Sequence, residues 1–179
     1  MTCWKTVNIS RELGHNRLAI LSVLVGILSF SVLYVPFSII YKGVTIFEPS
    51  IYHVMIGLLL IPVLHKLGHA IPILFTDREF YFKWSFKYQY LPMLKIRVRS
   101  NLSKRTSILM VLAPSLFLTV PLLFAATVFP TLYPLLLLFT AINIAISVED
   151  WYTLAFFIKA PKKCVVTKTK NNYDILIQP

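Results

Sequence analysis

Ile51-Tyr52-His53-Val54-Met55-Ile56-Gly57-Leu58-Leu59-Leu60-Ile61-Pro62-Val63-Leu64-His65-Lys66-Leu67-Gly68-His69-Ala70 is the stretch on which the fold and the chemistry turn. As a helix rising about 1.5 Å per residue it is long enough to cross the roughly 30 Å of hydrocarbon in a bilayer, and apolar residues carry it on to Phe75. An ionisable side chain in that environment costs a few kcal/mol or more, so it persists where it is used. His65 and His69 lie four residues apart, which places both imidazoles on one helix face, one turn apart. The H-E-x-x-H motif of zinc peptidases offers two nitrogens to one metal ion in this way. Here the box reads His65-Lys66-Leu67-Gly68-His69, with Lys66 where such a peptidase carries its general-base glutamate.

The rest of the chain agrees with a membrane setting. Over 179 residues it is 57% hydrophobic and only 14% charged, with a mean hydropathy of +0.72, which is too apolar for a water-soluble domain. Apolar segments run from Leu18 to about Ile40, Ile51 to Phe75, Thr106 to Phe129 and about Leu132 to Ile158. The expected fold is an all-α membrane protein, a single integral-membrane domain over 1–179 with about four transmembrane helices. Segment one exceeds the roughly 7 to 15 residues of a signal-peptide core, and no small-x-small cleavage site follows it, so it should remain as an anchor. Cys3 and Cys164 are far apart, in no C-x-x-C pattern, and read as free thiols.

A net charge of +11 suggests nucleic acid in a soluble protein. In this chain the cations sit between apolar runs, where cytoplasmic loops need them, so nucleic acid is not an expected partner. The gap from Asp77 to Arg105 holds eight of them: Arg78, Lys83, Lys87, Lys95, Arg97, Arg99, Lys104 and Arg105. Five lysines follow segment four, whereas the Tyr41–Ser50 gap has only Lys42, beside Glu48. The expected location is the cell membrane, multi-pass, with both termini and the basic 76–105 loop in the cytoplasm.

Within that loop Phe80, Phe82, Trp84, Phe86 and Tyr88 alternate with polar or smaller residues, and after Pro92 the run Leu94, Ile96, Val98 alternates with Lys95, Arg97, Arg99. Period-2 patterning in two runs predicts a cytoplasmic β-hairpin between helices two and three. It could rest on anionic lipid headgroups of the bilayer or add its edge to an extended peptide. Cys164–Thr167 and Tyr173–Ile177 supply further strand-like runs nearby.

A third donor candidate stands in segment four, where Glu149 and Asp150 interrupt an apolar run. At about 1.5 Å per residue His65 lies about 21 Å in from Ile51, His69 about 27 Å, and Asp150 about 27 Å in from Leu132, so the three share one level nearer the cytoplasmic face. Two imidazoles and a carboxylate leave a fourth tetrahedral position open, the pattern of a catalytic zinc rather than a structural one. The plainer alternative is that the histidines hydrogen-bond to backbone or to the acidic pair. Asn143 is a candidate to orient a ligand or to join two helices.

On these residues the chain resembles bacterial integral-membrane proteins of a domain-of-unknown-function family described as zincin peptidases, and more distantly is similar to site-2-type intramembrane metalloproteases. The resemblance covers about residues 50 to 179. It rests on the His65–Ala70 box, the basic β-like loop, the Arg105–Pro121 stretch with Ala113-Pro114, and the Glu149–Tyr173 segment with Lys159-Ala160-Pro161-Lys162. It implies that His65, His69 and Asp150 occupy the metal-ligand positions, with weakly held zinc as the cofactor. Two departures stand out: Lys66 at the catalytic glutamate, and Glu149 where the family has a small residue before the aspartate. Glutamate in a zinc peptidase takes a proton from the attacking water and returns it to the leaving amine, which an ammonium cannot do. Lys66 and Glu149 could instead pair across two helices. The expected function is therefore a catalytically impaired or inactive relative that binds a membrane-associated peptide or protein. Alternatives are an active intramembrane zinc metalloprotease with Glu149 or a neutral Lys66 as base, and a metal-free membrane immunity or assembly factor.

The cation count fixes a labelling outcome. Ser50→Cys should react with an impermeant thiol reagent outside intact cells and Ser100→Cys should not; the opposite pattern would invert the orientation.

Overall fold

The structure, a computed structural model, describes residues 2–7, 12–75, 80–87, 91–98, 102–162, 164–168 and 173–177. A strand β1 (Thr2–Val7) leads into the long helix α1 (His15–Ile40), followed by α2 (Ile51–Gly68) and its one-turn continuation α3 (Ile71–Leu74). The strands β2 (Phe80–Lys87), β3 (Leu91–Val98) and β4 (Leu102–Ser103) come next. Helix α4 (Lys104–Pro114) passes through a π-helical turn, Ser115–Thr119, into α5 (Val120–Val128). Then come α6 (Tyr133–Ile146), α7 (Val148–Lys159), β5 (Cys164–Lys168) and β6 (Tyr173–Ile177).

Three helical stretches, His15–Ile40, Ile51–Leu74 and Lys104–Val128, are long and apolar enough to cross a membrane. Tyr133–Ile146 with Val148–Lys159 passes the same test as one span bent by 46°. These match the four apolar segments of the sequence to within a few residues, but the last one is broken. The Ser147 hydroxyl donates to the Asn143 carbonyl four residues back at 2.8 Å, a bond that competes with the helix ladder and bends it.

The expected all-α class needs correction, because strands form a second layer. β2 and β3 pair antiparallel, Phe80 opposite Val98, as the alternating loop predicts. A separate four-stranded antiparallel sheet has the order β1-β6-β5-β4, with Thr2 opposite Ile177 and Leu102 opposite Val166. Lys5 pins β1 in place: its Nζ lies 3.3 Å from Glu12 Oε1 and 4.3 Å above the Phe156 ring. On the neighbouring side the Lys104 ammonium donates to the carbonyls of Ile158 and Ala160, capping the end of α7.

The main core lies where the sheet meets the helix ends, built on Val7, Val166 and Ile175 against Ile73, Val111 and Phe157. Cys164 is buried here and unpaired, and burial pushes its thiol up against a smaller opposing pull from Lys104. At the far end a second cluster gathers around buried Tyr133, with Tyr34, Phe37 and Tyr41 rings 5.7–6.1 Å from it. Between these clusters Gly57 lets α2 meet α6 closely, since a Cβ there would stand 2.0 Å from Phe139 Cζ.

Gly57→Ala must therefore rotate or displace the Phe139 ring. A loss of about 1–3 kcal/mol is expected from overpacking. Phe139→Leu in the same chain should recover part of it, a non-additivity that thermal unfolding in detergent would read.

Candidate metal centre

His65 lies in the last turn of α2 with its side chain 3% exposed, and His69 just beyond the helix end at 21%. Their rings stand perpendicular, at 88°, with centroids 5.3 Å apart. Asp150 reaches them from the first turn of α7, a helix start that favours negative charge. The 46° bend at Ser147 aims that turn at the histidines. Asp150 Oδ2 stands 2.9 Å from His65 Nε2 and 3.4 Å from His69 Nε2.

The opposite edge of each ring decides what those Nε2 atoms are. His69 Nδ1 is 2.7 Å from the Met110 carbonyl oxygen, which can only accept, so Nδ1–H donates. His65 Nδ1 is 2.8 Å from Asn143 Oδ1. The Asn143 amide is oriented in turn, because its Nδ2 faces the Pro114 carbonyl at 3.4 Å and Thr119 Oγ1 at 2.9 Å. A carbonyl takes only a donor, so Oδ1 faces His65 and His65 Nδ1–H donates as well. In neutral imidazoles held this way both Nε2 atoms are bare lone pairs, directed at a carboxylate oxygen.

Three electron-rich atoms within 4.8 Å of one another repel unless something positive joins them, a proton that pairs an imidazole with Asp150 or a metal ion. A divalent cation satisfies all three at once. Tetrahedral zinc with bonds of about 2.0–2.1 Å holds its ligand atoms roughly 3.3 Å apart, and the separations of 2.9 and 3.4 Å suit that spacing. The nitrogen and oxygen donor set suits zinc, and the Nδ1–H bonds are the outer contacts that orient metal-binding histidines. The exposures rise from His65 through Asp150 at 17% to His69, so the centre opens on the His69 side.

All three sequence candidates for ligands thus meet at one point, and Asn143 joins them as an acceptor rather than a donor. The remaining two candidates do not enter the cluster. Lys66 is half-buried, one residue round the helix from His65, and Glu149 is exposed. Ion pairs among the described residues are Lys5–Glu12 and those of Asp150 with His65 and His69, so Glu149 joins none of them. Sequence reasoning missed the Met110 carbonyl and Thr119; a backbone acceptor carries no residue-type signature of its own. It also missed the girdle that ties the bend to the π-helical turn: Trp151 Nε1–H donates to Ser115 Oγ, which donates to Ser147 Oγ, each at 3.2 Å.

Comparison with known proteins gives one family. Residues 58–165 match the model of a family described as "Putative zincin peptidase", a narrower span than 50–179 but one that contains every residue of the centre. No curated protein matches the chain, and no solved structure does. With more than half of its length under that match, and with the two histidines of the box and Asp150 gathered at one point, the chain belongs to the zincin-peptidase family described by that model.

Proposed function

We propose that this family member is an integral membrane protein that holds one zinc ion at His65, His69 and Asp150, has lost hydrolysis, and binds a membrane-associated peptide or protein without cutting it. The observation that carries the reading is a ligand cluster with both histidines anchored, beside a lysine at the general-base position.

Two features support the membrane setting. On α1 alone Ile20, Leu24, Ile27, Leu28, Ile39 and Ile40 stand 59–70% exposed, an apolar face that water would not tolerate and lipid covers. In addition β1, β4, β5 and β6 share one sheet, so the chain returns to the same side after α1 and α2 and again after α4 to α7. Even numbers of crossings satisfy that, in keeping with the cation distribution and cytoplasmic termini.

Zinc, when bound, supplies Lewis acidity toward a carbonyl or a water. The rest falls to the chain. Asp150 and the histidines hold position, and the Nδ1–H bonds keep both Nε2 atoms available. Peptide hydrolysis also needs a group that accepts a proton and hands it to the leaving amine. A lysine ammonium at position 66 cannot accept that proton, and a positive charge there lowers the affinity of the centre for a cation. Where α2 crosses α4, a shallow groove of about 190 Å³ is walled by Leu64, Leu67, Ile71, Phe117 and Leu118, and its lining suits an apolar side chain of a bound peptide.

Protein purified gently in detergent should carry up to one zinc per chain, lost in His65→Ala and in Asp150→Ala, and held more tightly in Lys66→Glu. Stoichiometric metal surviving both alanine variants would place the ligands elsewhere, and a wild-type chain that takes up no metal would favour a metal-free membrane factor.

Losing a general base costs about 10²- to 10⁴-fold in rate, so wild-type protein should cleave no membrane peptide detectably. Lys66→Glu, or Lys66→Glu with Glu149→Gly, should recover some cleavage. Zinc-dependent cleavage by the wild type that vanishes in Glu149→Gln but not in Lys66→Ala would make Glu149 the base and the protein an active protease.

A further inference from the structure

His69 is held by a backbone carbonyl that its own helix leaves without the usual donor. In α4 the Met110 carbonyl would accept from the N–H of residue 114, and residue 114 is proline, which has none. The next N–H, of Ser115, is bonded to Leu112 instead. The proline ring also crowds the carbonyl four residues back and tilts it away from the helix axis. Among apolar segments an orphaned carbonyl is costly, and a neighbouring helix is what re-satisfies it. The donor found is His69 Nδ1–H at 2.7 Å.

Packing makes the contact specific. Gly68, beside His69, lies so close to α4 that a Cβ on it would be 3.1 Å from Pro114 Cα. Immediately after Pro114 the helix slips into the π-helical turn Ser115–Thr119, an irregularity common at functional sites. One residue thus frees the acceptor, stands at the entry to the π-helical turn and touches the glycine of the histidine box.

We infer that Pro114 is the positioning residue for His69: by withholding an N–H it reserves the Met110 carbonyl for His69 Nδ1–H, and so keeps His69 Nε2 free as a ligand atom. This rests on the reading of the cluster as a metal centre. It assigns Pro114 a role in the centre's electronic state, which a proline that merely shapes α4 would not have. An N–H restored at 114 competes with His69 for the Met110 carbonyl and loosens the preference of His69 for the Nδ1–H tautomer.

The test reads ¹⁵N shifts of the imidazoles in full-length, metal-free protein near pH 8, followed by zinc affinity in competition with a chelator. Wild type should show His65 and His69 both protonated at Nδ1. In Pro114→Ala His69 should lose that preference while His65 keeps it, and zinc affinity should fall about 10- to 100-fold, the usual effect of losing an outer partner. Asn143→Leu should do the reverse, changing His65 and sparing His69. Lactic acid at position 114 lacks the N–H as proline does, and should restore both the His69 signature and the affinity. Pro114→Ala with His69 still protonated at Nδ1, or a folded lactic-acid chain in which His69 behaves as in Pro114→Ala, would overturn the inference. If Pro114→Ala does not fold, the lactic-acid chain against wild type decides in the same way. A wild-type chain that binds no zinc, yet whose His69 tautomer follows position 114 as described, would defeat the metal reading and leave standing only the control of the His69 tautomer by Pro114.

Discussion

Everything at the centre depends on how closely α2 and α4 approach where Gly68 meets Pro114. A side chain of any size at 68 would push the backbones apart, because the opposing atom is a Cα and cannot rotate aside. With the helices in contact, His69 reaches the Met110 carbonyl and His65 reaches Asn143, each at hydrogen-bond length. Hydrogen bonds weaken steeply as they stretch and tilt, so parting α2 from α4 would loosen the hold on His69, while His65 is held from α6. The site is rigid because its outer contacts are backbone, or an amide itself held at two points.

That rigidity stands beside Lys66, at the position where the zinc-peptidase motif carries its glutamate. Desolvated donors aimed at one point are expensive to maintain, and a chain that no longer needed a cation there could replace them with apolar side chains at little cost or even a gain in stability. Their presence next to Lys66 suits a centre whose shape matters, for locking α2 to α7 or for recognising a carbonyl. Lys66 then reads as a change in what the centre does rather than as its decay.

How far the fold and site are legible in the residues depends on how local each signal is. The four apolar spans are plain because hydropathy is a property of the window itself, and the ligands because His65, His69 and Asp150 are too costly among apolar neighbours to be incidental. Equal depth along two helices, a matter of counting residues, brings Asp150 to the histidines. The Ser147 break escapes such counting, since a serine in an apolar run looks the same whether its helix bends or not. β1 escapes because its partner lies at the other end of the chain: Thr2–Val7 acquires meaning as a strand only beside Tyr173–Ile177. The Met110 carbonyl escapes because every residue has one.

Among the described residues β1 pairs with β6 and with no other strand, and β6 lies more than 160 residues further along the sequence. During synthesis β1 must therefore wait, unpaired, until residues 173–177 have been made. An unpaired strand is a template for pairing with other chains, and closing so long a loop is slow as well as entropically demanding. Sheet closure is thus the last event of assembly, a seal set after the helices are in place. A chain cut short before Tyr173 would strip the partner from β1 and half the pairing from β5 in one stroke. Quality control could read that exposed pair of edges as the mark of an unfinished molecule.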